Sequence, residues 1–125
     1  MITGIDVRLS QKYISKYDTS EPKTTWHLGV LSVHIFAYLG EKMLDSAKSM
    51  ESMIDIVSFG LKGFENFKDK DGKDVEFTTK NTNICGKAYQ VVSDNIISII
   101  PVDIIVELGS KILEITKLSE SQIKN

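Results

Sequence analysis

The sequence predicts a predominantly helical α+β fold, with about four helices, a short N-terminal β segment and a small β-hairpin near residues 64–78. Three observations carry that expectation. Apolar residues recur at steps of three and four across residues 33–64 and again across 102–118, the spacing of a helix with one buried face. Ile5, Val7 and Leu9 alternate with Asp6 and Arg8, the period of a strand. Asp71-Gly72 lies between apolar residues, and both residue types tolerate the positive φ angles of a hairpin turn.

Taken in order, Ile2–Ser10 reads as a first strand. Trp26, Leu28 and Val30, alternating with His27 and Gly29, read as a second, and Pro22 precedes that run without interrupting it. Lys16–Thr25, between them, has loop chemistry. Ser32 is a candidate N-cap, after which Val33, Phe36, Ala37, Met43, Leu44 and Ala47 keep helical spacing. Met50, Met53, Ile54, Val57, Leu61 and Phe64 do the same. The sequence leaves open whether residues 32–66 form one bent helix or two. Gly60 and Gly63 weaken the end of that stretch by about 1 kcal/mol each relative to alanine.

Phe64–Phe67 and Val75–Phe77 are then the arms of the hairpin, with Phe67, Val75 and Phe77 packed inward. The region around and beyond the turn, Asp69–Lys87, has otherwise the composition of a loop. Ser93-Asp94 starts a short helix reaching Ile100. Pro101 has no amide hydrogen to donate, so it ends that helix or opens the next. The last long helix runs from about Val102 to Leu118, with Ile105, Leu108, Ile112 and Ile115 along one face. Glu107 and Lys111 are spaced for an i,i+4 pair. Ser119–Gln122 resembles a capping box, and the tail beyond is too short to hold a helix alone.

The 125 residues fit one domain, 1–125, and a 42% hydrophobic content supplies one packed core, which excludes a wholly disordered chain. Charge is nearly balanced, 15 basic against 17 acidic side chains, so the basic excess of a nucleic-acid binder is missing. Lys62, Lys68, Lys70, Lys73 and Lys80 lie close together, but Asp69, Asp71 and Asp74 interleave with them, as in a solvated loop. The single cysteine, Cys85, reads as a small buried or loop residue rather than a reactive thiol. The N-terminus lacks the basic start and apolar run of a signal peptide. Ile96–Leu108, the densest apolar stretch, is broken by Ser98, Pro101, Asp103 and Glu107 and is too polar to span a bilayer. The expected location is a cytoplasm, or something assembled there.

No motif assembles catalysis, and no catalytic, cofactor-binding or metal residues are assigned. In Asp69-Lys70-Asp71-Gly72 the alternating acids resemble a calcium loop. The alignment then puts Phe67 first and Thr78 twelfth, where oxygen donors are required, so a hairpin turn is the better account. His27 and His34, seven apart, have no third ligand at metal spacing. His27 reads as a strand residue and His34 as a helix-surface residue. Gly60 and Gly63 lack the Gly-Lys-Ser/Thr that completes a phosphate loop.

Two groups of residues suit protein binding. Met43, Met50 and Met53 form a stretch able to adapt to an irregular partner, although ordinary core filling accounts for at least two of them. Tyr13, Tyr17 and Trp26 are of the kinds enriched at interface hot spots, and Trp26 reads equally well as a core residue closing over the helices.

Ser15-Lys16-Tyr17-Asp18-Thr19-Ser20-Glu21-Pro22-Lys23-Thr24-Thr25-Trp26, with Leu28-Gly29-Val30-Leu31 after it, resembles the start of small proteins from the structural gene modules of tailed bacteriophages. Gly60–Phe77 is similar to their glycine–tryptophan–asparagine segment followed by an acidic Asp-Gly turn, with Phe64 in place of the tryptophan. Ile100–Leu108 and Leu118-Ser119 are similar too. The resemblance implies a non-enzymatic morphogenesis protein, like a tail assembly chaperone, with no cofactor and no catalytic residues to carry over. Its implied partners are phage structural proteins of tail, capsid or connector, met in the host cytoplasm during assembly. Self-association is left open, and neither nucleic acid nor membrane is an expected partner. The rival expectations are a capsid or connector accessory retained in the virion, and a host-directed inhibitor of a bacterial defence complex, for which a net charge of -2 gives little of the negative field such proteins use.

Overall fold

The computed structural model describes residues 10–44 and 49–124, with side chains of the last helix as far as residue 117. The expected strand Ile2–Ser10 therefore lies, except for Ser10, outside the described residues, as does Ala47. The chain order is β1 (Ser10–Ile14), β2 (Thr25–Gly29), α1 (Val33–Met43), α2 (Ser49–Gly60), β3 (Leu61–Glu65), β4 (Thr79–Ile84), β5 (Lys87–Val92), α3 (Asp94–Ile97) and α4 (Val102–Lys124).

The expectation of a predominantly helical fold is overturned. Four helices share the described residues with five strands in two antiparallel sheets, so the fold is α+β with a substantial β part. One sheet has the order β1-β2-β3 and the other is the hairpin β4-β5. Two misread segments account for the difference. The helical spacing through Leu61 and Phe64 conceals a switch at Gly60, where α2 ends and β3 begins. Glycine is a poor helix residue, and pairing with β2 lets Phe64 stack edge-on to Trp26 at 5.9 Å. The described residues of 32–66 thus hold two helices and a strand.

The second misreading concerns the hairpin. The Asp71-Gly72 turn exists: the Gly72 amide donates to the Asp69 carbonyl at 3.0 Å, and Gly72 has φ 80°. Its arms, however, make only an isolated Lys68–Asp74 bridge. The full hairpin is β4-β5, joined by Cys85-Gly86 with φ 53° and 81°. Two positive φ values in a two-residue loop are the signature of the turn that matches strand twist. Phe67, Val75 and Phe77 pack against the core as expected, the first and last joining an aromatic cluster with Trp26 and Phe64.

The core is formed where β2, α1, α2 and α4 meet, around Leu28, Leu39, Ile56, Leu108 and Ile112. Ser32 caps α1, its Oγ accepting the Ile35 amide at 3.4 Å. Pro101 opens α4, its carbonyl accepting the amides of Ile104 and Ile105 at 3.0 Å each. Unlike the expected end at Leu118, α4 continues without a break to Lys124, so Ser119–Gln122 starts no new helix. α2 and α4 approach closely at two glycines: a β-carbon on Gly60 would lie 2.6 Å from Ile112 Cγ2, and one on Gly109 would lie 2.7 Å from Met53 Sδ. Buried Thr116 ties α4 to the segment after β2. Its Oγ1 accepts the Leu31 amide at 3.0 Å and donates to the Ile112 carbonyl at 2.8 Å.

Candidate protein-binding groove

The segment leaving β1 must turn sharply, and its polar side chains build that turn. The Asp18 amide donates to the Ser15 carbonyl at 3.2 Å, and the Tyr17 amide to Ser15 Oγ at 3.1 Å. The Asp18 carboxylate accepts the Ser20 hydroxyl and the amides of Ser20 and Thr24, at 2.5, 2.9 and 2.8 Å. The Ser20 hydroxyl bond is the chief reason that its pKa lies below the usual value.

Glu107 of α4 fastens this turn to the helix. Its carboxylate accepts the Tyr13 hydroxyl at 2.7 Å, the buried Ser15 hydroxyl at 2.5 Å and the Lys16 amide at 3.1 Å. Burial pushes the Glu107 pKa upward, but the bonds from Ser15, Tyr13 and Lys16 outweigh it and hold the carboxyl below its usual range. Burial and the bond to Glu107 push the Tyr13 phenol up to about 12. The expected Glu107–Lys111 pair is not formed: Lys111 Nζ lies 3.3 Å from Glu114 and 5.8 Å from the centre of the Tyr13 ring.

Between this turn and α4 lies a groove of about 870 Å³. Tyr13, Tyr17, Pro101, Ile104 and Val106 supply its apolar surface, and Lys16, Asp103, Lys111 and Glu114 its charged margins. Tyr17 is 61% exposed, with the Lys16 ammonium 5.2 Å from its ring centre, and Val106 is also exposed. Such a surface can take up apolar side chains of a partner inside a polar rim. A carboxylate with a depressed pKa is a weak base, so Glu107 is suited to holding Ser15 rather than to activating it. Among the described residues, no three His, Cys, Asp or Glu side chains converge as a metal site.

Of the six residues singled out from the sequence, only Tyr13 and Tyr17 line this groove. Trp26 is 3% exposed and belongs to the core. Met43 and Met53 are partly buried against the core, while Met50 is exposed at the start of α2. Leu44, 88% exposed after α1, carries apolar surface that helical spacing had assigned to packing. His27 lies on β2 with Nε2 3.1 Å from Glu65, and His34 is exposed on α1. Cys85 is exposed at the tip of the β4-β5 hairpin. The Asp69 carboxylate accepts the amides of Asp71 and Lys73 at 2.9 and 3.0 Å, the chemistry of a turn. Glu107, Val106 and Pro101 were not among the sequence candidates. The only available signal was an acidic residue between exposed Val106 and buried Leu108, at the margin of the apolar stripe. No helix among the described residues is long and apolar enough to cross a membrane. Comparison with protein-family models, with curated proteins and with solved structures finds no match.

Proposed function

We propose that this protein acts without catalysis, in phage morphogenesis, by holding an apolar segment of a phage structural protein in the groove between the β1 turn and α4. The observation that supports the reading is that exposed Tyr17 and Val106 line one groove together with the part-buried Tyr13 and Ile104. Exposed tyrosine in a concave apolar setting is the composition of an interface centre. Val102, one turn before Val106 on α4, and Ile99 before Pro101 extend the exposed apolar surface. The phage context comes from the resemblance of residues 15–31, 60–77 and 100–108 to morphogenesis proteins. A chaperone of this kind shields an apolar segment until its own partner covers it.

Co-expression with a complete phage structural module, followed by affinity purification, tests the proposal. A structural protein should accompany the wild-type chain and be lost from Tyr17→Ala/Val106→Asp. A chain that purifies alone refutes the reading. Mass spectrometry of purified particles then separates a chaperone, which is absent, from an accessory protein, which is present at fixed copy number.

A further inference from the structure

A second surface, away from the α4 groove, has a different chemistry. β5 pairs with β4 on one side, and among the described residues nothing pairs with its other edge. The hydrogen-bonding phase of the hairpin follows from its two-residue loop. Ile84 and Lys87, which flank the loop, form a hydrogen-bonded pair, and such pairs recur at every second residue. The Ser93 amide, donating to the Thr78 carbonyl at 3.1 Å, continues that phase. Ala88 and Gln90 therefore direct their amides and carbonyls away from β4, toward the open edge.

That edge borders a groove of about 450 Å³ between β5, the start of α1 and the α2–β3 junction. Its apolar surface comes from Val30, Leu31, Ile35, Phe59 and Tyr89. Its charged lining is basic, Lys62 and Lys87 with the His34 imidazole, and no acidic residue is among the described residues that line it. Lys62 is placed there by an irregularity in the sheet. His27 faces Gly63 and Leu28 faces Leu61, so Lys62 is the extra residue of a bulge, a device that re-aims a side chain. Its ammonium donates to the Phe59 carbonyl at 3.1 Å and has no carboxylate partner among the described residues. Crowding by protein atoms holds its pKa below the usual value. Lys87 Nζ lies 5.7 Å from the Tyr89 ring centre and likewise meets no carboxylate among the described residues.

The geometry points to strand addition: an extended, acidic segment of a partner polypeptide pairs with the free edge of β5 at Ala88 and Gln90. Side chains on one face of the segment enter the groove, apolar ones against Phe59 and Tyr89 and carboxylates on that same face against Lys62 and Lys87. The inference does not rest on the α4 groove and fails separately from it.

The test uses the full chain, isotope-labelled, titrated with a capped synthetic decapeptide, Asp-Ser-Val-Ser-Val-Ser-Val-Ser-Asp-Ser, whose groove-facing positions are valine flanked by aspartate. The amides of Ala88 and Gln90 should shift and gain protection from hydrogen exchange. Lys62→Gln with Lys87→Gln, both at exposed positions, should weaken binding about fivefold. The same peptide N-methylated at alternate residues should not bind, and a peptide with lysine for aspartate should bind more weakly. Equal binding of either control peptide overturns the inference. So does a response at Tyr17 and Val106 in place of β5, or an absence of binding up to about 1 mM peptide.

Discussion

Replacing Glu107 tests the construction of the α4 groove directly. Glu107→Ala removes the acceptor shared by Ser15, Tyr13 and the Lys16 amide. Ser15 is buried, so its hydroxyl loses a charged acceptor that water replaces poorly, at a cost of about 1–2 kcal/mol. Tyr13 is half-buried and contributes about 1 kcal/mol. The Lys16 amide is exposed, and water recovers most of its bond, leaving about 0.5 kcal/mol. The expected loss is therefore about 2.5–3.5 kcal/mol, read as a lower midpoint in urea at pH 7 with an unchanged slope. Glu107→Gln keeps one acceptor oxygen and should lose about half as much. The pH dependence has a definite sign. The folded carboxyl titrates below its unfolded value, so its contribution is present above the unfolded pKa, about 4.3, and is lost as pH falls through the folded one. The gap between wild type and Glu107→Gln should be constant above about pH 6 and close as pH falls toward 3. A Glu107→Ala loss below about 0.5 kcal/mol, or a gap that widens on acidification, would refute the role given to this carboxylate.

The two close glycines should respond with opposite signs. Gly60→Ala drives a β-carbon into buried Ile112 and should destabilise by about 1–3 kcal/mol, whereas Gly109→Ala meets the flexible end of Met53 and, within α4, should be neutral or stabilising by up to about 1 kcal/mol in thermal unfolding. Thr116→Val keeps the shape of the side chain but strands the buried Leu31 amide, a loss of about 1–3 kcal/mol by urea titration, with Thr116→Ser as the variant that restores the bond. Cys85→Asn suits the positive φ at the hairpin tip and should leave stability unchanged or raise it slightly, while Cys85→Val should lower it by about 1–2 kcal/mol in the same assay. In ultraviolet titration of the folded protein one phenol, absent from Tyr13→Phe, should ionise only near pH 12, and the stability it contributes is full below about pH 10 and lost as pH rises toward 12.

Local chemistry was legible in the sequence where it acts within a few residues. Ser32 as a cap, Asp71-Gly72 as a turn and the buried stripe Ile105, Leu108 and Ile112 all follow from short-range rules and the structure places each accordingly, while Pro101, which could end one helix or open the next, opens α4. The β4-β5 hairpin was hidden for a physical reason. The positions of β4 that alternate with exposed Thr79, Asn81 and Asn83 are Lys80, Thr82 and Ile84, of which only Ile84 is apolar, so that strand shows no apolar alternation, and Cys-Gly is a less familiar turn pair than Asn-Gly. β3 was hidden because Leu61 and Phe64 continue the helical spacing of α2 by coincidence, and only pairing with β2 decides between the two periods. Only a small part of the candidate groove was legible. Tyr13 and Tyr17 stand out by residue type, but the carboxylate that positions them comes from 90 or more residues away, and no local pattern records that contact.

The placement of that carboxylate bears on what the groove can do. As one half of an i,i+4 pair with Lys111, Glu107 would contribute about 0.3 kcal/mol and would order nothing outside α4. Turned instead toward Ser15 and Tyr13, it fixes the segment carrying Tyr17 against the helix carrying Val106. Among the described residues β1 is an edge strand that pairs with β2 alone, so without this tie one wall of the groove would be free to move. A wall ordered before the partner arrives spares the association the cost of ordering it, and that saving appears directly as affinity. Glu107→Ala should therefore weaken partner capture even though Glu107 offers its carboxylate to the protein's own backbone and hydroxyls rather than to the partner. Tyr17→Ala should weaken capture without the accompanying loss of stability. A Glu107→Ala chain that unfolds more readily yet captures its partner as well as wild type would separate the tie from the binding surface, and would place the binding surface elsewhere on the molecule.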